Sequence, residues 1–229
     1  MKLVILDRDG TLNGAGDDFI TCADEWTALP GALEAVARLN HAGWHVVVAT
    51  NQPGLGRGLF DVLALNDIHT KMHRQLAAVG GRIDGVFYCP HAPDENCACR
   101  LPAPGLLEQI CDRYGVERAE VHVVGSCVAQ IQAGAALGAQ VHWVCTGPSA
   151  LETPGASLPA GCAPGTRVHA SLNDFVGYLL PAVQGATAVA TLAVAPLVIA
   201  SSCAAALPAV SGADARVILP APAHGRFSA

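Results

Sequence analysis

The stretch Leu3-Val4-Ile5-Leu6-Asp7-Arg8-Asp9-Gly10-Thr11-Leu12 decides the fold. Its first four residues form a continuous apolar run, which is typical of a parallel strand that is buried on both faces. Two carboxylates, Asp7 and Asp9, follow this run directly, and a glycine turn comes next. Ligands of open α/β sheets bind at the carboxyl ends of the strands. The stretch therefore predicts a buried strand with a phosphate-handling site at its end.

Outward from this stretch, short strand-like runs alternate with longer segments of helical period. Valine-rich or isoleucine-rich runs predict four further strands, over residues 45–49, 85–88, 121–124 and 141–145. Apolar residues at helical spacing predict helices over residues 31–42 and 62–79. The alternation implies right-handed crossovers, so we predict an α/β fold with a doubly wound parallel sheet.

The composition limits both the domain organisation and the partners. The 229 residues are 52% hydrophobic and 14% charged, with a formal net charge of −6. Such a chain can bury a full core, and it has no basic field that would attract nucleic acid. No charged residue occurs from 175 to 213, but prolines at 181, 196 and 208 divide this stretch into pieces shorter than the roughly 20 residues of a membrane helix. We predict a domain over 1–180 and an apolar, low-complexity Ala/Pro-rich tail over 181–229, and we disfavour a membrane span.

Nine cysteines raise the question of disulfides or metal. The chain begins with Met1-Lys2 and enters a core strand at once, so we expect no signal peptide and a reducing cytoplasm. Three cysteines and a histidine fall within eleven residues, at Cys89, His91, Cys97 and Cys99. Structural zinc prefers a closed Cys₃His set, and accidental clustering is the alternative. We interpret the other six cysteines, which have no neighbour at ligand spacing, as buried or incidental: Cys22, Cys111, Cys127, Cys145, Cys162 and Cys203.

The residues at the strand ends suggest a division of chemical labour. A lone Asp-x-Asp is often only a turn or a helix cap, but the strand end changes this interpretation. Asp7 is placed to act as a nucleophile, and Asp9 is placed to protonate a leaving oxygen and later to activate water. At the end of the second strand, the Thr50 hydroxyl and the amides of the Thr50-Asn51-Gln52 turn can hold phosphate oxygens.

Two of these motifs resemble those of the haloacid dehalogenase superfamily of aspartyl-phosphate-forming phosphatases. Leu6-Asp7-Arg8-Asp9-Gly10-Thr11 is similar to its first motif, and Thr50-Asn51-Gln52 is similar to its second. The resemblance implies that Asp7 is the nucleophile, Asp9 the general acid and base, and Thr50 a phosphate ligand. It also implies Mg²⁺, held by the Asp7 carboxylate and the Asp9 backbone carbonyl.

The segment from Cys89 to Cys99, which we call the zinc loop, narrows this resemblance to a capless family, the D-glycero-D-manno-heptose-1,7-bisphosphate 7-phosphatases. Gly54-Leu55-Gly56-Arg57-Gly58-Leu59-Phe60 and Asp24-Glu25-Trp26 also resemble loops of that family. The resemblance implies removal of the C7 phosphate of a heptose bisphosphate in lipopolysaccharide precursor synthesis, with Arg57 and Arg100 on the substrate side. Histidinol-phosphate phosphatases share the fold and a similar zinc loop, and remain an alternative. We expect a monomer that acts on a small sugar phosphate.

Two positions depart from the family pattern. Leu101 stands where the family has a lysine that neutralises the phosphoryl group, and Ser126 stands where it has an aspartate that binds magnesium. Magnesium usually depends on one or two carboxylates, so we expect weaker metal binding and slower turnover. A phosphate-binding or regulatory homologue with little or no activity is therefore a further alternative.

Overall fold

A six-stranded parallel sheet forms the centre of the protein. The computed structural model describes residues 1–14, 19–147 and 158–180. The strands are β1 (Leu3–Leu6), β2 (His45–Asn51), β3 (Gly85–Cys89), β4 (His122–Gly125), β5 (Gln140–Val144) and β6 (Arg167–His169). They lie in the order β3-β2-β1-β4-β5-β6, and every neighbouring pair is parallel. The order reverses beside β1, so Asp7 and Asp9 lie at the switch point where such sheets bind ligands.

Helices cover both faces of this sheet. They are α1 (Ala32–His41), α2 (Pro53–Gly56), α3 (Val62–Ala78), α4 (Gly105–Tyr114), α5 (Val128–Leu137) and α6 (Leu172–Leu179), with a 3₁₀ turn at Arg118–Glu120. The core on one face contains residues of α1, α3 and α6, and the core on the other contains residues of α4 and α5. Within β1, Val4 and Leu6 belong to the first core, whereas Leu3 and Ile5 belong to the second. Burial on both faces explains why this strand is continuously apolar.

Helix boundaries follow local capping chemistry. Asp61 precedes α3, and its side chain accepts a hydrogen bond from the backbone N–H of Ala64 at 2.8 Å. Ser171 does the same for the N–H of Asp174 at the start of α6, at 3.2 Å. Gly115 ends α4 with a φ of 61°, a conformation that glycine adopts without strain. These caps satisfy backbone groups that would otherwise lack partners.

Three histidines form a hydrogen-bonded row across the sheet, from β4 through β5 to β6. His122 Nδ1 lies 3.0 Å from His142 Nε2, and His142 Nδ1 lies 3.1 Å from His169 Nε2. All three side chains are buried, and the Phe175 ring packs against each. Burial lowers the pKa of His142 to about 3 and that of His122 to about 4. At the far end of the row, His169 Nδ1 lies 3.9 Å from Asp174 Oδ2.

The doubly wound parallel sheet predicted from the sequence is confirmed. The first strand has the predicted bounds, and the other four predicted strands and both predicted helices differ from their predictions by one or two residues at an end. Strand β6, which has only three residues, two of them exposed, was not predicted. The predicted tail, 181–229, lies outside the described residues. Among the described residues, no helix is both long and apolar enough to cross a membrane.

Candidate active site

Asp7 is the buried carboxylate at the end of β1. Its backbone N–H continues the sheet by donating to the Val124 carbonyl at 2.9 Å, and its side chain is only 7% exposed. Its Oδ1 accepts a hydrogen bond from the Arg8 backbone N–H at 2.8 Å. Burial, and next the nearby Asp9 carboxylate, raise the pKa of Asp7 to about 7. A cation at this carboxylate would therefore favour the ionised form that a nucleophile needs.

Asp9 is held in one orientation by four donors. Arg8 grips it with two charge-assisted bonds, from Nε to Oδ1 and from Nη2 to Oδ2, both at 2.9 Å. Asn13 Nδ2 donates to Oδ1 at 2.9 Å, and Gln52 Nε2 donates to Oδ2 at 3.1 Å. With two donors on each oxygen, the Asp9 carboxylate is fixed in its plane and position. An Asp9 oxygen that carries a proton has to release at least one of these donors.

Arg8 is itself fixed from the other side. Its side chain is fully buried, and its Nη1 lies 3.4 Å from His69 Nε2 on helix α3. Burial, and next the Arg8 charge, lower the pKa of His69 to about 3. The ring is therefore neutral at physiological pH, and its Nε2 can accept from the guanidinium. The network connects α3 to the predicted general acid through Arg8.

The predicted phosphate-binding turn lies beside this network. Thr50 is buried near the carboxyl end of β2, and its Oγ1 accepts a hydrogen bond from Gln52 Nε2 at 3.1 Å. The same Gln52 nitrogen contacts Asp9, so the two motifs are joined directly. Asn51 points elsewhere: its Oδ1 accepts from the Leu101 backbone N–H at 3.0 Å, and its Nδ2 donates to the Leu101 carbonyl at 2.9 Å. The structure thus uses the Asn51 amide to hold the segment that carries Leu101.

Leu101 lies in a hydrophobic core. Its side chain is 3% exposed and packs in the core beneath the sheet, on the side of α4 and α5. The backbone at this position is held through both polar groups by Asn51. A lysine here would have to carry its ammonium group out of that core.

Ser126 and Cys127 follow β4 and complete the floor of the site. Ser126 Oγ lies 3.5 Å from the Asp9 carbonyl oxygen, and Cys127 Sγ donates to Asp7 Oδ2 at 3.3 Å. Burial, and next the Asp7 charge, raise the pKa of the Cys127 thiol. Gly147 covers Ser126 so closely that a Cβ there would lie 2.6 Å from the Ser126 Cβ. The interpretation of Cys127 as an incidental residue is therefore revised, because it touches the predicted nucleophile.

These residues fit a divalent cation, although with fewer charges than two carboxylates would supply. The Asp7 carboxylate, the Asp9 carbonyl and the Ser126 hydroxyl are all oxygen donors of the kind that Mg²⁺ accepts. Only Asp7 contributes a formal charge to this oxygen set. Burial and the nearby Asp9 carboxylate disfavour the ionised form of Asp7, and a bound cation would stabilise that form.

The predicted zinc ligands converge. Among the four residues, the candidate ligand atoms all lie within 4.8 Å of one another. Cys89 Sγ lies 3.7 Å from Cys97 Sγ and 3.5 Å from Cys99 Sγ, and His91 Nδ1 lies 3.3 Å from Cys99 Sγ. Tetrahedral zinc with thiolates at about 2.3 Å would place them about 3.8 Å apart. The cluster therefore has the composition and nearly the spacing of a zinc site.

Backbone contacts join the zinc loop to the phosphate-binding turn. Gln52 N–H donates to the Cys89 carbonyl at 2.8 Å, and Gly56 N–H donates to the Pro90 carbonyl at 2.9 Å. A Cβ on Gly56 would lie 2.6 Å from the Ala92 nitrogen, so only glycine permits this approach. A displaced zinc loop would therefore disturb the Thr50–Gln52 turn.

The two predicted substrate arginines make their contacts outside the network around Asp9. Arg57 is exposed, with its guanidinium carbon 5.7 Å from the centre of the Phe19 ring. Arg100 donates from Nη1 to the His91 carbonyl at 3.1 Å, which ties it to the zinc loop. A cavity of 960 Å³ opens between the zinc loop and the loop that contains Arg57. Asp7 and Asp9 do not line this cavity. Its lining residues are Thr21, Leu55, Gly56, Gly58, Leu59, Phe60, Asp61, Val62, Ala64, Tyr88, Pro90, His91 and Glu95.

Several residues of the site were not predicted. Arg8, His69 and Asn13 reach Asp9 directly or through one neighbour, and Thr146 Oγ1 donates to the Gly10 carbonyl at 2.7 Å. The position of Arg8 between two aspartates, directly after a buried strand, was a usable signal, because a buried arginine needs a partner. His69 and Thr146 gave no local signal, since only the fold brings them to the site.

Comparisons with known proteins agree with this geometry. Residues 14–138 match the model of the haloacid dehalogenase-like hydrolase family. A D-glycero-beta-D-manno-heptose-1,7-bisphosphate 7-phosphatase from Bordetella bronchiseptica is 52% identical over 180 residues, which are 79% of this chain and 98% of the relative. The enzyme of the same name from Neisseria meningitidis is 42% identical over 182 residues, covering 79% of this chain and 95% of the relative.

Solved structures give the same result. The D,D-heptose 1,7-bisphosphate phosphatase from B. bronchiseptica, complexed with magnesium and phosphate, superposes with a TM-score of 0.73 and 49% identity, covering 79% of this chain and 98% of the other. The enzyme from Burkholderia thailandensis has a TM-score of 0.60 and 46% identity, with 79% and 99% covered. These relatives are heptose phosphatases, so they do not favour the alternatives of a histidinol-phosphate enzyme or an inactive homologue. The chain belongs to the haloacid dehalogenase-like hydrolase family, within the group of the D-glycero-beta-D-manno-heptose-1,7-bisphosphate 7-phosphatases.

Proposed function

We propose that this protein hydrolyses the C7 phosphate of D-glycero-beta-D-manno-heptose 1,7-bisphosphate through an aspartyl-phosphate intermediate. The names of its relatives support the substrate. One observation carries the chemistry: buried Asp7 and donor-held Asp9 lie together at the switch point of the sheet, with Thr50 and Gln52 beside them. The proposed role is a step in lipopolysaccharide heptose precursor synthesis.

The reaction divides into two displacements at phosphorus. An Asp7 carboxylate oxygen attacks the phosphorus, and the bond to the C7 oxygen breaks as that oxygen takes a proton from Asp9. Water then attacks the aspartyl-phosphate and gives a proton back to Asp9, which releases phosphate and restores Asp7. Thr50 Oγ1 and the backbone amides after β2 orient the phosphoryl oxygens.

The proposed cofactor of this step is Mg²⁺, as in the magnesium complex of the Bordetella relative. The Asp7 carboxylate, the Asp9 carbonyl and the Ser126 hydroxyl would hold the ion. When bound, it supplies positive charge that offsets the charge of the phosphoryl group. The second proposed metal is structural zinc at Cys89, His91, Cys97 and Cys99, which would fix the loop that backs the phosphate-binding turn.

The proposed organisation is a single phosphatase domain that ends near Leu180, acting as a cytoplasmic monomer. All the strands and helices given above lie before this residue. The thiols of the metal-like cluster support a reducing compartment.

Phosphate release from the heptose bisphosphate, with magnesium present, tests the proposal. We expect turnover in the unaltered protein and none in Asp7→Asn, which keeps the size of the side chain but removes the nucleophile. Asp84→Asn, beside the start of β2 and so at the end opposite the site, is the matched control and is expected to retain activity. Histidinol phosphate, offered at the same concentration, is expected to be a much poorer substrate. Equal release by the unaltered protein and Asp7→Asn would contradict the proposal.

A further inference from the structure

Two pairs of polar atoms at the proposed cation site lie at distances that can be compared with those between metal ligands. Ser126 Oγ lies 3.5 Å from the Asp9 carbonyl oxygen, and Cys127 Sγ lies 3.3 Å from Asp7 Oδ2. Neighbouring ligands in octahedral magnesium, with oxygens at about 2.1 Å, are about 3.0 Å apart. An oxygen at about 2.1 Å and a sulfur at about 2.3 Å on one ion are separated by about 3.1 Å at a right angle and about 3.6 Å at the tetrahedral angle. The thiol and the carboxylate therefore already have the spacing of two ligands of one ion.

The small negative charge of the oxygen ligands also points to Cys127 as a ligand. Asp9 commits its carboxylate to Arg8 and offers only a carbonyl, and Ser126 is neutral. With oxygen ligands alone, the ion would meet one negative charge, from Asp7. Coordination deprotonates a thiol outright, so a Cys127 thiolate would bring the ligand charge to two. A sulfur ligand also changes which ion is preferred, because thiolates select borderline and soft metals over magnesium.

A buried amide next to the site lacks a hydrogen-bond partner. Gln130 is fully buried, and neither of its amide atoms has a hydrogen-bond partner in the described part of the chain. Its side chain packs on Gly125 next to Asp7: a Cβ on Gly125 would lie 2.6 Å from Gln130 Cγ and 3.5 Å from Asp7 Cβ. Buried amides are normally satisfied, so we expect an ordered water beside this one.

We propose that the cation site of this protein selects a borderline divalent transition metal over Mg²⁺, with Cys127 as a thiolate ligand beside Asp7, the Asp9 carbonyl and Ser126. The proposal rests on the proposed function only in the location of the cation. It concerns the residues Ser126 and Cys127 of this chain, and it predicts binding whether or not the enzyme turns over.

Cobalt(II) binding tests the proposal directly. Reduced protein with its zinc loop filled is titrated with Co²⁺ while near-ultraviolet thiolate-to-cobalt absorption, bound cobalt and released zinc are measured. We expect a cobalt equivalent that binds without zinc release and gives a thiolate band. Cys127→Ser is expected to lose this band and at least tenfold of the Co²⁺ over Mg²⁺ preference. Cys22→Ser, at an exposed cysteine, is the matched control and is expected to keep both.

Two outcomes of the cobalt titration would contradict the proposal. The proposal is overturned if Cys127→Ser and the unaltered protein show the same band and the same Co²⁺ over Mg²⁺ preference, or if cobalt binds only by releasing zinc. Should Cys127→Ser fail to fold, alkylation of the unaltered protein replaces it: Cd²⁺ is expected to protect Cys127 from iodoacetamide, and Mg²⁺ is not. Equal labelling with Cd²⁺ and with Mg²⁺ would overturn the proposal.

Phosphate release measured on the same samples separates the two proposals. Cobalt bound through Cys127 without phosphate release from the heptose bisphosphate would support the metal site and reject the proposed function. Release with Mg²⁺ that is unchanged in Cys127→Ser, together with no thiolate band, would support the function and reject the metal site.

Discussion

At the scale of single residues, the Arg8–Asp9 pair sets how the general acid is presented. Arg8 reaches both Asp9 oxygens and is itself buried against His69. A planar fork of two donors fixes the carboxylate plane, which a point charge does not. The orientation of Asp9 therefore depends on the shape of Arg8 as well as on its charge.

We predict that Arg8→Lys lowers turnover of the heptose bisphosphate by about 10- to 100-fold, which is less than the full contribution of a general acid because Asp9 itself remains. Turnover of p-nitrophenyl phosphate should fall much less, because its leaving group needs no proton. Arg82→Lys, at an exposed arginine that pairs with Asp84, is the control and should change neither rate. Equal losses with both substrates would mean that Arg8 acts on phosphate binding, not on Asp9.

Ser126 and Leu101 are the second pair of residues that determine activity. We predict that the double variant Ser126→Asp with Leu101→Lys raises magnesium-dependent phosphate release by about 100-fold or more, since each restored charged group is worth about 3 kcal/mol and the two are not fully additive. Ser126→Asn with Leu101→Lys, which lacks the new carboxylate, is the control. No gain in the double variant would mean that another feature limits the site.

The same double variant should be less stable than the unaltered protein. Leu101 is packed in the core, so a lysine there loses apolar contacts and must extend its ammonium group to reach the phosphate. We expect the Leu101→Lys change alone to lower the melting temperature, as measured by circular dichroism. Ser126→Asp alone should have a smaller effect on the melting temperature.

At the scale of elements, the zinc loop supports the turn after β2. The loop has few buried apolar side chains, so its order depends on the metal. We predict about one zinc per chain, and chelation should lower both the melting temperature and the rate of phosphate release. Cys97→Ser should reproduce both effects, whereas Cys22→Ser should reproduce neither. A folded, reduced sample without zinc would reject the site.

At the scale of the whole molecule, the histidine row makes stability depend on pH. The folded pKa of His142 is about 3 and that of His122 about 4, both below the unfolded value near 6.5. As the pH falls below 6.5, the unfolded chain binds protons that the folded chain excludes, so stability is lost between pH 6.5 and the folded values.

We therefore predict that the free energy of unfolding falls by about 6 kcal/mol between pH 7 and pH 4 because of this row, with about half from His142 and half from His122. Urea unfolding at several pH values measures the change. His142→Gln should reduce the slope, and His41→Gln, at an exposed position on α1, should leave it unchanged. An unaltered slope in His142→Gln would show that carboxylates cause the acid sensitivity.

The sequence was sufficient where structure is local and insufficient where it is not. The apolar run before Asp7 predicted β1. The polar residues at the strand ends predicted that the two carboxylates and Thr50 lie together, because parallel strands end on one edge of the sheet. The spacing of the zinc ligands predicted their convergence. The contacts of Cys127 with Asp7, of Leu101 with the core and of His69 with Arg8 depend on crossovers of many residues, so no local pattern could reveal them.

The histidine row also transmits a choice of tautomer across three strands. A neutral ring carries one proton, so if His142 Nε2 accepts from His122, its Nδ1 must donate to His169. The His169 proton then sits on Nδ1, facing Asp174 at 3.9 Å. The reverse direction would turn a lone pair toward that carboxylate. The charge of Asp174 on α6 thus favours the direction in which His122, two strands away, carries its proton on Nδ1, and the three rings can only switch together.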